Sequence, residues 1–581
     1  MNLAAIYHRT SDNYCYAIND DELIINIKTG KDVTEVHLVY GDPYTGGILG
    51  SKSDWGGNKI SVPYKKELLH HIWWTTTITP EYKRCKYYFI LVFANKEKIC
   101  FLEDGFFSEE EVHNQHIMKQ MFTFPWLNPI DVHRTPSFVN ETIWYQIFPD
   151  RFSKSKTHID GITPWAKGQV RNEEIYGGDL QGVIDKLDYL DSLGINGIYL
   201  TPIFKAESIH KYDTTDYLEV DPLFGCNEDV KELVHKAHEK GMKIMLDGVF
   251  NHTSTNFFAW QDILKHGKRS KYFDWYLINN YPFSPKKHKT KNKEYYAFAF
   301  VDEMPKLNTN NPEVIEYLLK VVVYWITEFH IDGIRLDVAN EVSHYFCKAL
   351  RKTIKGMNKE CFILGEIWHD SIRWLGNDAF DSVMNYPLTT AISNFWLKPM
   401  MHRQELKMKI NQCYTMYMQQ TNDVLFNLLD SHDTQRLINR VHFDIDAFYQ
   451  QIMLLLSMPG SPCIYYGTEV ALEGEHDPDC RRCMPWKDIE KGNYEKQIVL
   501  FKSMIALRKN NTALKSRNFH FEEEIDNERV IELLKIDDQG YQIKIIINAS
   551  SSDITVNGTA LFSYKYNLNR LQKGGFIVLE I

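Results

Sequence analysis

The strongest constraint on this chain is a rhythm. Between about residues 135 and 512, eight short apolar runs alternate with segments of helical periodicity. The runs are Ile143–Phe148, Gly197–Thr201, Lys243–Leu246, Gly333–Leu336, Phe362–Gly365, Ser382–Asn385, Val424–Leu428 and Cys463–Tyr466. Leu180, Val183, Ile184, Leu187 and Leu190 share one helix face between the first two runs. Val230, Leu233, Val234 and Ala237 do so before the third, and Val314, Tyr317, Leu318 and Val321 before the fourth. Eight strand–helix units predict an α/β chain folded as a (β/α)8 TIM barrel. Residues 253–305 interrupt the rhythm after the third strand and read as an inserted subdomain above the barrel.

The flanks read differently. Before residue 123, the runs Leu23–Ile27, Val36–Tyr40, Tyr87–Phe93 and Ile99–Leu102 are separated by turn-like segments such as Gly41-Asp42-Pro43 and Gly46-Gly47. That pattern predicts an N-terminal β-sandwich over 1–122. Phe124–Pro129 reads as a linker, because its prolines disfavour helix and central strand. The barrel is expected over 123–511. Val530–Leu534, Tyr541–Asn548 and Gly575–Ile581 predict a small C-terminal β domain over 512–581.

Composition excludes some partners. A formal net charge of −10 leaves no basic surface for nucleic acid. No 18-residue apolar stretch predicts a membrane span. The start, MNLAAIYHRTSD, lacks the basic-then-apolar pattern of a secretory leader, and ten cysteines lie without framework spacing, Cys480-x-x-Cys483 among them. Reduced thiols and a cytoplasmic location are the expectation.

In such a barrel, chemistry gathers at the C-terminal ends of the strands. Those ends supply Asp247–His252, Arg335–Glu341, Glu366–Asp370 and Ser431-His432-Asp433. One carboxylate at a strand end is often a helix cap, but four on one rim are harder to explain that way. Two separated carboxyl groups are what glycoside hydrolysis requires, one protonated and one ionised. Divalent cations also gather carboxylates, but a neighbouring arginine competes with the cation. Arg335 and Asp337 lie two apart on a strand and point the same way, so the guanidinium is expected to keep Asp337 ionised.

These segments resemble the α-amylase family of glycoside hydrolases. DGVFNH (247–252), GIRLDVANEV (333–342), GEIWHD (365–370) and SHDT (431–434) match four ordered signature regions, with GINGIYLTP (194–202) and GSPCIYYGTE (460–469) as further matches. WYQIFPDRF (144–152), HKYDTTDY (210–217), MPKLN (304–308) and DPDCRRCMPW (477–486) are similar to the neopullulanase, cyclomaltodextrinase and maltogenic amylase subfamily. AIYHRTSDNYCYA (5–17) and GDPY (41–44) resemble its N-terminal starch-binding-type domain.

The resemblance implies a retaining α-glucan hydrolase acting on α-1,4 links, with α-1,6 links as a further expectation, in cyclodextrins, maltooligosaccharides, pullulan or starch. It makes Asp337 the nucleophile, Glu366 the general acid/base and Asp433 the third carboxylate. Arg335, His252 and His432 are then expected to surround the cleaved sugar, and Tyr212 to lie beneath it. Asp247 stands behind them as a structural acid. Asp477 and Arg481 bound the donor end, Trp368 and Glu341 the acceptor side, and Gly467 and Glu469 are structural. A homodimer through the N-terminal domain is a further implication.

Relatives often carry a calcium loop just after the first strand. Here Ser153–His158 holds two lysines in that stretch, so no cofactor and a lost calcium site are expected. Two rival readings share the scaffold: a transglycosylase or isomerase, and a non-catalytic carbohydrate-binding protein.

Overall fold

The computed structural model of the chain describes residues 1–45, 55–114, 116–155, 162–165, 168–285, 288–377 and 379–581. The Gly46-Gly47 turn and Lys156–His158 of the expected calcium loop lie outside them.

Two compact units are present, Met1–Arg134 with Met401–Asn422, and Thr135–Met400 with Asp423–Ile581. In the first, two antiparallel sheets form a sandwich. One carries Cys15–Ala17, Leu23–Thr29, Ile72–Ile78 and Tyr64–Glu67; the other is built on Val33–Gly41 and Cys85–Phe93. Alternate residues of both sheets meet in one core, with Leu23, Ile25 and Ile27 facing Leu38, Phe89 and Leu91. Trp73 and Trp74 are buried in the sandwich rather than displayed for sugar. The expected linker behaves differently from its reading: Phe122–Phe124 pairs with Cys85–Tyr87, and Leu127 is buried in the same core. The prolines fall just beyond the ladder, where no N–H is needed. Met401–Asn422 belongs to this unit through Asn411 Nδ2 on Glu67 O (3.0 Å) and Gln420 Nε2 on Ala17 O (2.8 Å).

The second unit holds the barrel. Its strands are β1 Trp144–Ile147, β2 Gly197–Leu200, β3 Lys243–Gly248, β4 Gly333–Leu336, β5 Phe362–Gly365, β6 Ser382–Val383, β7 Phe426–Asn427 and β8 Ser461–Tyr465. All neighbours are parallel, in the order β6-β5-β4-β3-β2-β1-β8-β7. A parallel bridge from Met384 to Phe426 closes the ring, with Asn385 N donating to Phe426 O at 2.8 Å. β6 and β7 are shorter than their apolar runs suggest. Asn385 caps the helix Tyr386–Leu397, which pulls the chain out of β6 at once.

The barrel interior is a packed core. Trp144, Tyr199, Met245, Phe362, Leu364, Met384, Phe426 and Cys463 fill it from successive strands. Each such side chain contributes about 1.5–3 kcal/mol by burial. An exposed ion pair such as Lys205–Glu219 is screened by water and salt, so packing rather than surface charge fixes the strand ends.

The periodic helices form as read, at Leu180–Ile184 with Leu187–Leu193, at Asn227–Glu239 and at Pro312–Phe329. The inserted segment folds around Trp260, Tyr276, Phe283 and Tyr295, whose rings pack within 5.3 Å of Trp260. The C-terminal part is a sheet built on Val530–Ile536, Gln542–Asn548 and Arg570–Glu580. None of the ten cysteines is joined in a disulfide, and all but Cys226 are buried.

Candidate active site

The register of three neighbouring strands assembles the centre. Asp247 on β3 is level with Arg335 on β4, and Leu336 is level with Gly365 on β5. The next residues, Asp337 and Glu366, therefore leave the sheet side by side. Backbone bonds fix them there: Asp337 N donates to Gly248 O (3.1 Å) and Glu366 N to Leu336 O (2.9 Å). Gly365 permits this approach, since a Cβ there would come within 2.6 Å of Phe380.

Arg335 is fully buried and serves three carboxylates. Its Nη1 donates to Asp247 Oδ1 (2.8 Å) and Oδ2 (2.9 Å) and to Asp337 Oδ1 (3.0 Å). Its Nη2 lies 2.9 Å from Glu366 Oε1, an ion pair in which the N–H is not aimed at the oxygen. One positive charge thus stands among three buried carboxyl groups. Burial lifts Asp337 well above the carboxylate range; Arg335 opposes this, while Glu366 and Asp247 add to it. Asp247 is lifted to about 6, again by burial against Arg335. Arg335 thus acts on Asp337 in the expected direction, against its burial. The guanidinium is shared among the three carboxyl groups.

Val338 turns the chain away from Asp337 in a left-handed conformation (φ 45°, ψ 45°), rare for a β-branched residue. The turn aims Val338 N at Glu366 Oε2 (3.0 Å). The Trp368 indole donates to Glu366 Oε1 at 3.3 Å, and its half-exposed ring lies on Tyr386 with centroids 3.7 Å apart.

A second group closes around the same point. Tyr212 Oη donates to Asp247 Oδ2 (3.1 Å) and lies 2.5 Å from His432 Nε2, with the two rings stacked at 5.5 Å. His432 Nδ1 accepts from Gln146 Nε2 on β1 (2.8 Å). Asp433 Oδ2 is 3.2 Å from His432 Nε2, and its Oδ1 accepts from Arg481 Nη2 at 3.2 Å. Arg481 also pairs with Asp477 at 2.8 Å. Asp433 and Asp477 keep 31% and 42% of their side chains open to solvent, so this side is the mouth. His252 is buried, and burial lowers it to about 3, so it is neutral. Its Nε2 lies 3.1 Å from Tyr212 O.

Glu341 is held by Lys306 at 2.9 Å, on the rim. Glu469 is buried and accepts from Tyr145 (2.8 Å) and Tyr189 (2.9 Å), the structural place expected of it. The structure therefore brings Asp337, Glu366, Asp433, Arg335, His252, His432, Tyr212, Trp368, Asp477 and Arg481 around one opening, with Glu341 on its rim. Gln146, Tyr199, Lys306 and Tyr386 also reach this network and were not singled out from sequence. Gln146 and Lys306 lay inside quoted motifs, whereas Tyr386 carried no signal.

The chemistry on offer is that of two carboxyl groups at neighbouring strand ends, one shared cation, neutral histidines and an open aromatic flank. Comparison with known proteins agrees. The family described as "Alpha amylase, catalytic domain" matches residues 146–518, and "Alpha amylase, N-terminal ig-like domain" matches 1–128. A maltogenic alpha-amylase of Bacillus acidopullulyticus is 44% identical over 513 residues, 88% of this chain and 85% of the relative. An intracellular maltogenic amylase of Bacillus subtilis is 40% identical over 88% of this chain and 85% of its own length. A solved cyclomaltodextrinase structure has a TM-score of 0.90 at 37% identity, covering 100% of this chain and 98% of that one. With both family models matched in order and a solved relative matched over its whole length, the chain belongs to the α-amylase family and is a glycoside hydrolase.

Proposed function

We propose that the chain hydrolyses α-1,4-glucosidic bonds, and α-1,6 bonds as well, in cyclodextrins, maltooligosaccharides, pullulan or starch, with retention. The observation that carries this reading is the Arg335 guanidinium within 3.0 Å of both Asp337 and Glu366 at adjacent strand ends. Asp337 attacks the anomeric carbon while Glu366 gives its proton to the leaving glycosidic oxygen. Glu366 then takes a proton from water, whose oxygen displaces Asp337 from the same carbon. Asp433, Arg335, His252, His432 and Tyr212 hold the cleaved sugar. Asp477 and Arg481 bound the donor end, and Trp368 with Glu341 faces the acceptor.

A transglycosylase or isomerase would use the same two carboxyl groups, but the names of the relatives do not favour it. The test is a side-by-side rate assay on β-cyclodextrin, pullulan and soluble starch, with Asp337→Asn as blank. Activity equal to the blank on all three would overturn the proposal.

Three finer points belong to the same proposal. The chain acts in the cytoplasm: none of its cysteines is joined in a disulfide, and a relative is named intracellular. Among the described residues, no helix is long and apolar enough to cross a membrane. The loop after β1 does without calcium. Its sequence carries two lysines, and both oxygens of Asp179, which Ser155 contacts, accept from Ser155 N, Ser155 Oγ and Gly182 N, which speaks against a hard-cation site at that carboxylate. The N-terminal domain supports a homodimer, the arrangement its sequence resemblance implies; a strict monomer in light scattering would contradict that.

A further inference from the structure

Lys306 ends the inserted segment and is clamped by its backbone. It forms an antiparallel bridge with His252, and its N–H donates to Tyr296 O at 2.9 Å. Its side chain is only 17% exposed. The ammonium has three hydrogens and meets three oxygens: Asn251 Oδ1, Glu341 O (3.1 Å) and Glu341 Oε2 (2.9 Å). Those acceptors come from two places, the end of β3 and the turn after β4.

An ammonium can only donate. Asn251 must therefore present its oxygen to Lys306 and turn its NH2 the other way. That NH2 lies 3.2 Å from His252 Nδ1. Nδ1 then accepts, and the proton of the neutral ring rests on Nε2, 3.1 Å from Tyr212 O. On its other side, the same ammonium holds the backbone and carboxylate of Glu341, four residues beyond Asp337. Glu341 is 44% exposed, so the pair adds little to stability. Its effect is positional.

We propose that Lys306 is a positioning residue that, together with the Tyr212 carbonyl, fixes the tautomer of His252, holds Glu341 in place, and thereby sets how water competes with a sugar acceptor. This rests on the reading of Glu341 as an acceptor-side group. The other site cations stand elsewhere: Arg335 lies beneath the carboxyl groups, and Arg481 lies at the donor end.

The test uses the full-length enzyme with maltotriose as donor and methyl α-glucoside as acceptor, and reads the ratio of transfer to hydrolysis. Lys306→Met keeps the length and removes the charge; it is expected to change the ratio by about fivefold or more, in the same direction as Glu341→Gln. The double variant is expected to go no further than the larger single one, as for two groups acting through one contact. A wild-type ratio in Lys306→Met, with Glu341→Gln shifted, overturns the role of Lys306 and leaves Glu341's place intact. A wild-type ratio in Glu341→Gln overturns the acceptor-side reading and the proposal with it. If Lys306→Met does not fold, Lys306→Ala is assayed with and without ethylammonium. Return toward the wild-type ratio supports the proposal, and no response overturns it.

Discussion

Gln146 on β1 donates through Nε2 to His432 Nδ1 at 2.8 Å, and this single contact decides where the His432 proton sits. Burial, with the charges of Arg481 and Arg335, holds His432 well below the usual histidine range, so the ring is neutral. Its proton is then on Nε2, facing Tyr212 Oη and Asp433. Gln146→Leu removes the donor and leaves a buried acceptor unpaired, at about 1–3 kcal/mol. We expect kcat/KM to fall about tenfold or more with the fold retained by circular dichroism. Unchanged kcat/KM would show that the tautomer does not matter.

Asp337→Asn separates function from stability. Activity should fall by about 10⁴-fold or more, as for other lost nucleophiles. Burial raises the Asp337 carboxyl, so its ionised form costs stability at neutral pH. The neutral amide removes that cost, and the Tm at pH 7 should equal or exceed that of wild type. A clear drop in Tm would mean that the Arg335–Asp337 pair stabilises the fold.

The pH dependence follows from Asp247, raised from 3.8 to about 6 by burial. A raised native value means that the fold binds the proton more tightly than the unfolded chain. This group's contribution is therefore present below 3.8 and is lost as pH rises to about 6. Catalysis runs the other way, because Arg335 and Tyr212 are set by the ionised carboxylate. The acidic limb of kcat/KM is expected near pH 6, and a limb near the free-carboxyl value of about 4 would contradict the shared-cation picture.

Asp179 accepts from Ser155 and caps the helix Leu180–Ile184. Asp179→Ala should lower the Tm through loss of the cap, about 1 kcal/mol, and added Ca²⁺ should not restore it. A chelator should leave the wild-type Tm in place. A marked fall reversed by Ca²⁺ would overturn the loss of the calcium site.

Trp368 combines a stack on Tyr386 with an N–H on Glu366. Trp368→Phe keeps the ring and removes the donor, so kcat should fall roughly two- to tenfold while KM moves little. Trp368→Ala also removes the stack, worth about 0.5–1.5 kcal/mol, and should raise KM for longer glucans. Equal kinetics in the two variants would remove the acceptor-side role of the ring.

The barrel was legible because parallel strands buried on both faces need apolar runs, and each helix between them shows one apolar stripe. Asp337, Glu366 and Asp433 drew notice as carboxyl groups just beyond such runs, and the family resemblance gave them roles. What stayed hidden was the sharing of charge. Sequence puts Arg335 beside Asp337, but only the register of β3, β4 and β5 adds Asp247 and Glu366 to the same guanidinium. Tyr386 could not be found for a similar reason: its stack on Trp368 joins residues with no fixed spacing along the chain. Phe124–Pro129 misled because proline statistics are local, whereas Leu127 is drawn into the sandwich core by burial.

The Lys306 ammonium, tethered among its three oxygens, has a practical consequence. A positive charge carried on the chain cannot be diluted, exchanged or stripped by a competing ligand. Its presence follows folding alone, so this corner of the rim is complete in the folded polypeptide at any pH below the range, lowered by burial, in which the ammonium gives up its proton.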